Sequence, residues 1–153
     1  MTPEHIHTVQ STWVKLLPTK NTAAQLFCEK LLETDPPLRG LFRGDMHQHG
    51  VKLVQVIDAA VNALSRLERI RPLVQELGRR YAAHGVKHHH YRTVGVALLW
   101  TLDQVLGAEF TPTVEDAWVA VYGALARTMQ EAAVATGITK TLPARESMPT
   151  GMA

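Results

Sequence analysis

Tyr81 and His84 are the residues of this chain whose types and spacing point most directly to chemistry. They stand three apart in the stretch Arg79-Arg80-Tyr81-Ala82-Ala83-His84-Gly85-Val86-Lys87, so on a helix they share a side. A phenolate oxygen or an imidazole nitrogen placed there can hold a metal. Other histidines gather as His5 with His7, His47 with His49, and His88-His89-His90. None of these groups has a Cys or carboxylate partner at a recognised zinc spacing. Adjacent histidines in a connection read as solvated side chains able to take up stray nickel or zinc. Cys28 is the single cysteine, which excludes a thiolate cluster and an intramolecular disulfide and suits a reducing compartment. It reads either as a small buried apolar residue or as a thiol open to redox chemistry. A Ser-His-Asp order, a glycine-rich phosphate loop and paired catalytic carboxylates do not stand out.

The elements that must position these side chains are helical. Sustained alternation of period two is missing, so a strand reading has no support. Thr2 as N-cap, Pro3 at the first position and Glu4 in the first turn start a helix. Ile6, Val9, Trp13, Leu16 and Leu17 form its apolar face, and Pro18 ends it. A second helix is expected from about Asn21 to Thr34, followed by a short one opened by Asp35-Pro36-Pro37. Residues Arg43 to Gln48 read as a loop. The next helix is expected from about His49 to Leu67, with Leu53, Ile57, Ala60, Val61 and Leu64 inward. Arg71-Pro72 should start another, carrying Leu73, Leu77, Tyr81 and His84 and terminated by Gly85. His88 to His90 fall in the connection. A helix from about Tyr91 to Leu106 closes at Gly107. Thr111-Pro112 starts the last, with Trp118, Val121, Tyr122, Leu125 and Met129 as its stripe. Periodicity fades near Thr136, and residues 138–153 read as a flexible tail after a domain spanning 1–137.

Bulk properties bound the function. A length of 153 residues suits one core. The net charge of +2 comes from Lys and Arg scattered along the chain, so a nucleic-acid stripe is not expected. An apolar stretch of membrane-spanning length is missing. Met1-Thr2-Pro3-Glu4-His5 lacks the basic region and apolar run of a signal peptide. The expectation is a cytoplasmic protein with neither membrane nor nucleic acid as partner.

The order of elements carries a family pattern. Its anchors are Trp13, then Pro36 with Leu38, Leu41 and Phe42, then Lys52-Leu53 and Val56 to Val61. They continue through Leu77-Gly78-Arg79-Arg80, Gly85-Val86-Lys87, Thr93-Val94-Gly95, Phe110-Thr111-Pro112, Ala117-Trp118 and Val121-Tyr122-Gly123. This set resembles the globins, most of all neuroglobin and the globin domains of bacterial single-domain and flavo-haemoglobins. The resemblance implies an all-α globin fold of seven to eight helices in a 3-on-3 sandwich, holding haem b. It also implies a diatomic ligand (O2, NO or CO).

Site residues follow from the resemblance position by position. Phe42 matches the phenylalanine that packs on the haem. His49 matches the distal position, at which neuroglobin has an iron-binding histidine, and Leu53 the apolar distal residue one turn on. Cys28 falls where bacterial members have a distal tyrosine. Lys52 would reach a haem propionate. Tyr91 matches an aromatic position on the proximal side of the pocket, and Leu77, Val86 and Val94, which match in register, are expected to contact the cofactor. The departure is the proximal ligand: counted without gaps, the family's histidine falls on Tyr81, with His84 one turn later. Tyrosine ligates haem as phenolate, and its free pKa is about 10, so it favours ferric iron. Using His84 requires a slide of roughly 4.5 Å along the helix at about 1.5 Å per residue. Three arrangements stay open: Tyr81 on the iron, His84 on the iron, or neither, with His49 or no haem at all.

The functional expectations follow from that choice. One is haem-bound gas sensing or transport, with six-coordinate iron when His49 also binds. A second is redox catalysis such as nitric oxide dioxygenation, fed by an external reductase. Flavo-haemoglobins polarise their proximal histidine with a glutamate, and the corresponding stretch here is Gln130-Glu131-Ala132-Ala133-Val134-Ala135, which weakens that option. A third is a globin that has lost haem and serves as a sensor or interaction module.

Overall fold

The structure is a computed structural model that describes residues 1–41 and 45–135. Within these residues the chain forms six α-helices: α1 (Pro3–Leu16), α2 (Lys20–Thr34), α3 (Met46–Asn62), α4 (Leu67–Ala83), α5 (His88–Leu106) and α6 (Pro112–Ala135). Short 3-10 turns occupy Leu17–Thr19, Pro36–Leu41, Leu64–Arg66 and Gly107–Glu109. Seven to eight helices were expected; several of the short ones are single 3-10 turns. The predicted tail, 138–153, lies outside the described residues. None of the described helices is long and apolar enough to cross a membrane.

The strongest local signals act as expected. The Thr2 hydroxyl accepts the His5 amide at 3.1 Å, which satisfies one orphan N–H of α1. Thr111 does the same for Val114 at 3.3 Å, ahead of Pro112 at the start of α6. Val9, Trp13 and Leu16 of α1 are buried, with Leu31, Leu64 and Leu102 from other elements. Trp13 and Trp118 meet with ring centroids 5.9 Å apart. Each indole N–H has a partner: Trp13 donates to Asp58 Oδ1 at 2.7 Å and Trp118 to Thr12 Oγ1 at 2.9 Å. The α1–α3 and α1–α6 crossings are therefore fixed by direction as well as by apolar contact.

Three boundaries differ from the sequence expectation. The helix expected from His49 to Leu67 begins earlier, at Met46, and stops at Asn62. The chain then turns through Leu64–Arg66, whose Leu64 is sealed in the core. Helix α4 starts at Leu67, so Pro72 lies inside it rather than at its head. That proline removes only the bond to the Glu68 carbonyl, which sits at an exposed residue where water can replace it. Helix α4 packs mainly along α6. Finally, His88, His89 and His90 are not a connection; they form the first turn of α5.

Candidate functional site

A cavity of about 1110 Å³, counting the part open to solvent, lies between α3 on one side and α4, α5 and α6 on the other. Helix α3 supplies Leu53, Val56, Ile57 and Ala60, and α6 supplies Val121, Leu125 and Met129. Among the described residues the lining surface is almost wholly apolar, and, Trp118 aside, the lining side chains that carry a polar group come from one region. They are Tyr81 at the end of α4, His90 and Tyr91 at the start of α5, and Tyr122 of α6.

The end of α4 is held in place by backbone geometry. Gly85 adopts φ +96°, a conformation open to glycine. The Val86 amide then reaches back to the Tyr81 carbonyl at 2.9 Å and the Gly85 amide to the Ala82 carbonyl at 3.1 Å. This pair of bonds is a Schellman stop. One turn before Tyr81, Gly78 faces the backbone of Met129 so closely that any Cβ there would overlap it. Helices α4 and α6 thus meet backbone to backbone, and Tyr81 is set on the cavity wall. Burial raises the pKa of its phenol, with Arg80 opposing. Its hydroxyl has no hydrogen-bond partner among the described residues.

His84 has a different place. It is the C-cap of α4, and its Nδ1 lies 2.8 Å from the Arg80 carbonyl. A carbonyl only accepts, so Nδ1 carries the proton in that contact. His84 is absent from the cavity wall. Although Tyr81 and His84 are three apart, the helix has already ended at His84, and the shared face ends with it.

Leu53, Leu77, Tyr81, Val86, Tyr91 and Val94 are brought together on the wall. Cys28, His49, Lys52 and His84 are not among the wall residues. His49 is half-buried in the first turn of α3, one turn before Leu53, and Lys52 is exposed. Cys28 is buried where α2 meets α3: a Cβ on Gly50 would come within 2.6 Å of its Sγ. Burial first, and then Glu29, raises the pKa of this thiol, so it is less nucleophilic than a free cysteine. Phe42 lies outside the described residues.

Two wall residues were missed as site residues by sequence reasoning. Tyr122 was seen only as part of a helix stripe. Its hydroxyl donates to the Tyr91 carbonyl at 2.7 Å, pinning α6 to the start of α5. Burial raises its pKa strongly, with Tyr91 adding to the effect. His90 was assigned to a solvated connection. It accepts the Lys87 amide on Nδ1 at 2.8 Å, and burial, with His89 beside it, lowers its pKa despite Asp35. Tyr91 is pushed up to about 12, by burial first and then by Tyr81. A charge on either of these two phenols is therefore felt by the other.

The family model for globins matches residues 25–129, which covers α2 to α6 and every wall element. The chain belongs to the globin family. Neuroglobin from Danio rerio is 30% identical over 135 residues, covering 79% of this chain and 85% of that protein. Neuroglobin from Tetraodon nigroviridis is 29% identical with the same coverage. A flavohemoprotein from Vibrio cholerae is 30% identical over 131 residues, which is 83% of this globin but 33% of that longer protein. Among solved structures, an engineered carbene transferase derived from a putative nitric oxide dioxygenase of Rhodothermus marinus superposes with a TM-score of 0.79 at 20% identity. It covers 92% of this chain and 99% of that one, a likeness of fold.

Globins ordinarily bind haem, and the residues of this cavity can be tested against that group. The faces of a porphyrin need apolar walls, which α3 and α6 provide. Haem iron would need a donor atom, and Tyr81 is a lining residue with no hydrogen-bond partner among the described residues that could supply one. The apolar walls and this residue fit the group.

Proposed function

We propose that this globin binds haem b in the cavity between α3 and α4–α5–α6, with Tyr81 as the protein's ligand and O2, NO or CO as small ligands. The observation that carries this is the separation at the end of α4: Tyr81 is on the wall with an unengaged hydroxyl, while His84 caps the helix through Nδ1. When bound, haem iron supplies a place for diatomic ligands and one-electron redox chemistry. To hold haem iron Tyr81 would have to give up its phenolic proton, which burial opposes. A Tyr81 phenolate would favour ferric iron, whose charge would offset that cost. Leu53 and Val56 keep the opposite wall apolar and exclude water. His49, one turn before Leu53, acts distally only when the first turn of α3 moves inward. The globin domain is assigned to residues 1–137.

A role in gas sensing or haem-linked transport suits a ferric-favouring site better than bulk oxygen storage. A second reading is redox catalysis such as nitric oxide dioxygenation with an external electron donor. Its support is the flavohemoprotein relative, which is three times longer than the matched region. The test is hemin titration of the purified protein, followed by its absorption spectrum. The expected result is a ferric spectrum with a phenolate-to-iron charge-transfer band, unchanged in His84→Ala and absent in Tyr81→Phe. Loss of haem in His84→Ala with Tyr81→Phe intact would reverse the assignment. Absence of any haem uptake would leave a globin fold that acts as an interaction module. For the second reading, sustained NO consumption with a generic reductase is required; a ferric protein that dithionite fails to reduce excludes it.

A further inference from the structure

The histidine run at the start of α5 has a carboxylate partner that its sequence neighbourhood hides. Asp35, between α2 and the turn Pro36–Leu41, comes together with His89 and His90, and one ligand atom from each lies within 4.8 Å of the others. We propose that Asp35, His89 and His90 form a divalent transition-metal site at the edge of the cavity, with His90 shared between the two.

Three features of this corner favour a cation. The Asp35 side chain is only 17% exposed. Its cationic neighbour among the described salt bridges is His89, at 3.7 Å, which is charged only when protonated. A largely buried carboxylate without a permanent positive partner is a costly arrangement, and a metal ion supplies the charge. Second, the Thr93 hydroxyl donates to the His89 carbonyl at 3.1 Å and lies 3.5 Å from Asp35 Oδ2, so it holds the His89 backbone and the Asp35 side chain at the same corner. Third, the rings of His89 and His90 lie side by side with centroids 4.1 Å apart, although consecutive helical residues ordinarily diverge.

The donor set selects the metal. Two imidazoles and one carboxylate suit Zn²⁺, Ni²⁺ or Cu²⁺, whereas Ca²⁺ and Mg²⁺ want oxygen alone. Tetrahedral zinc with bonds of about 2.0–2.2 Å spaces its ligands by roughly 3.3–3.6 Å. His89 is 56% exposed, so rotation of its ring can close the remaining gap, and water completes the shell. The Lys87 amide on His90 Nδ1 places the proton of the neutral ring on Nε2. Metal binding therefore takes the Nδ1 lone pair and exchanges that amide bond for the metal. Because His90 also lines the cavity, metal occupancy resets one of its polar side chains.

The experiment is a calorimetric titration of the chelator-treated, full-length protein with ZnCl2, paired with thermal melting. The wild type is expected to take up zinc saturably with a rise in melting temperature, as a ligand of the native state must produce. His89→Ala and Asp35→Asn are each expected to lose at least about tenfold in zinc affinity, the scale of a lost metal contact. His88→Ala, which removes an exposed histidine from the same helical turn but outside the cluster, should bind as wild type. Should Asp35→Asn fail to fold, the contrast between His89→Ala and His88→Ala decides alone. Wild-type affinity in His89→Ala, or an equal loss in His88→Ala, overturns the site.

Discussion

The two sides of the cavity are built differently. The side formed by α4, α5 and α6 is tied by backbone contacts: Gly78 against Met129, the Schellman stop at Gly85, and the Tyr122 hydroxyl on the Tyr91 carbonyl. It also carries the polar side chains of the wall. The α3 side presents apolar residues to the cavity, and its main packing is to α2, through Gly50 against Cys28. The difference teaches that the side whose backbone is over-determined holds the groups with ligand chemistry, because a donor atom must be placed to within a fraction of a bond length. The opposite side supplies shape and exclusion of water, which tolerate displacement.

The largest expected break of that contrast is Tyr81→Phe. It removes the proposed ligand oxygen and keeps the ring. Hemin affinity should fall by at least about 100-fold, equivalent to roughly 2.7 kcal/mol, measured by transfer of haem to an acceptor protein. A loss of the same size in Leu53→Ala would show that shape, not ligation, holds the haem.

Next in size is Gly78→Ala, which tests whether the tie between α4 and α6 sets the position of Tyr81. The new methyl meets the Met129 backbone, and over-packing of this kind costs about 1–3 kcal/mol. The melting temperature should drop by roughly 2–12 °C at about 2–4 °C per kcal/mol, with a weaker charge-transfer band. A variant as stable as wild type would show that the two helices separate freely.

Smaller again is Tyr122→Phe. It leaves the Tyr91 carbonyl without this donor and should cost about 1 kcal/mol in chemical denaturation. The same tyrosines set an alkaline limit. Burial raises Tyr91 to about 12 and Tyr122 further above its ordinary value of 10. Folded pKa values above unfolded ones give stability that is full below pH 10 and lost as pH rises through the folded values. Apoprotein stability should therefore hold from pH 7 to 9 and decline above 10, more gently in Tyr122→Phe. His84→Ala is the smallest change. It removes one half-exposed capping contact and should shift stability by less than about 0.5 kcal/mol with no change in the haem spectrum.

Legibility in the sequence followed the range of the signal. Thr2-Pro3 and Thr111-Pro112 marked helix starts because a side chain three residues away satisfies the first amides, and the apolar stripes of α1 and α6 then fixed the faces. Tyr81 was legible through the register of its neighbours. The break at Ala63 was not, since neither glycine nor proline stands there and the inward Leu64 simply continued the apolar stripe of α3. Pro72 was misleading: its local preference for a helix head did not prevail, because the one carbonyl it leaves unpaired, that of Glu68, belongs to an exposed residue. The start of α5 was hidden because the N-cap is Lys87 rather than Ser, Thr, Asp or Asn, and its amide is taken by His90 at the third helical position rather than by the usual Glu or Gln. Asp35 meets His89 and His90 only in the folded chain, so no spacing rule reaches it.

The central claim is the proposal that Tyr81 would hold haem iron through its phenolate oxygen, and resonance Raman spectroscopy of the ferric haem complex tests it most directly. Excitation in the charge-transfer band should enhance tyrosine ring modes and an iron–oxygen stretch. Both should vanish in Tyr81→Phe and persist in Tyr91→Phe and His84→Ala. An imidazole-type iron–nitrogen stretch that survives in Tyr81→Phe and disappears in His84→Ala or His49→Leu would contradict the account.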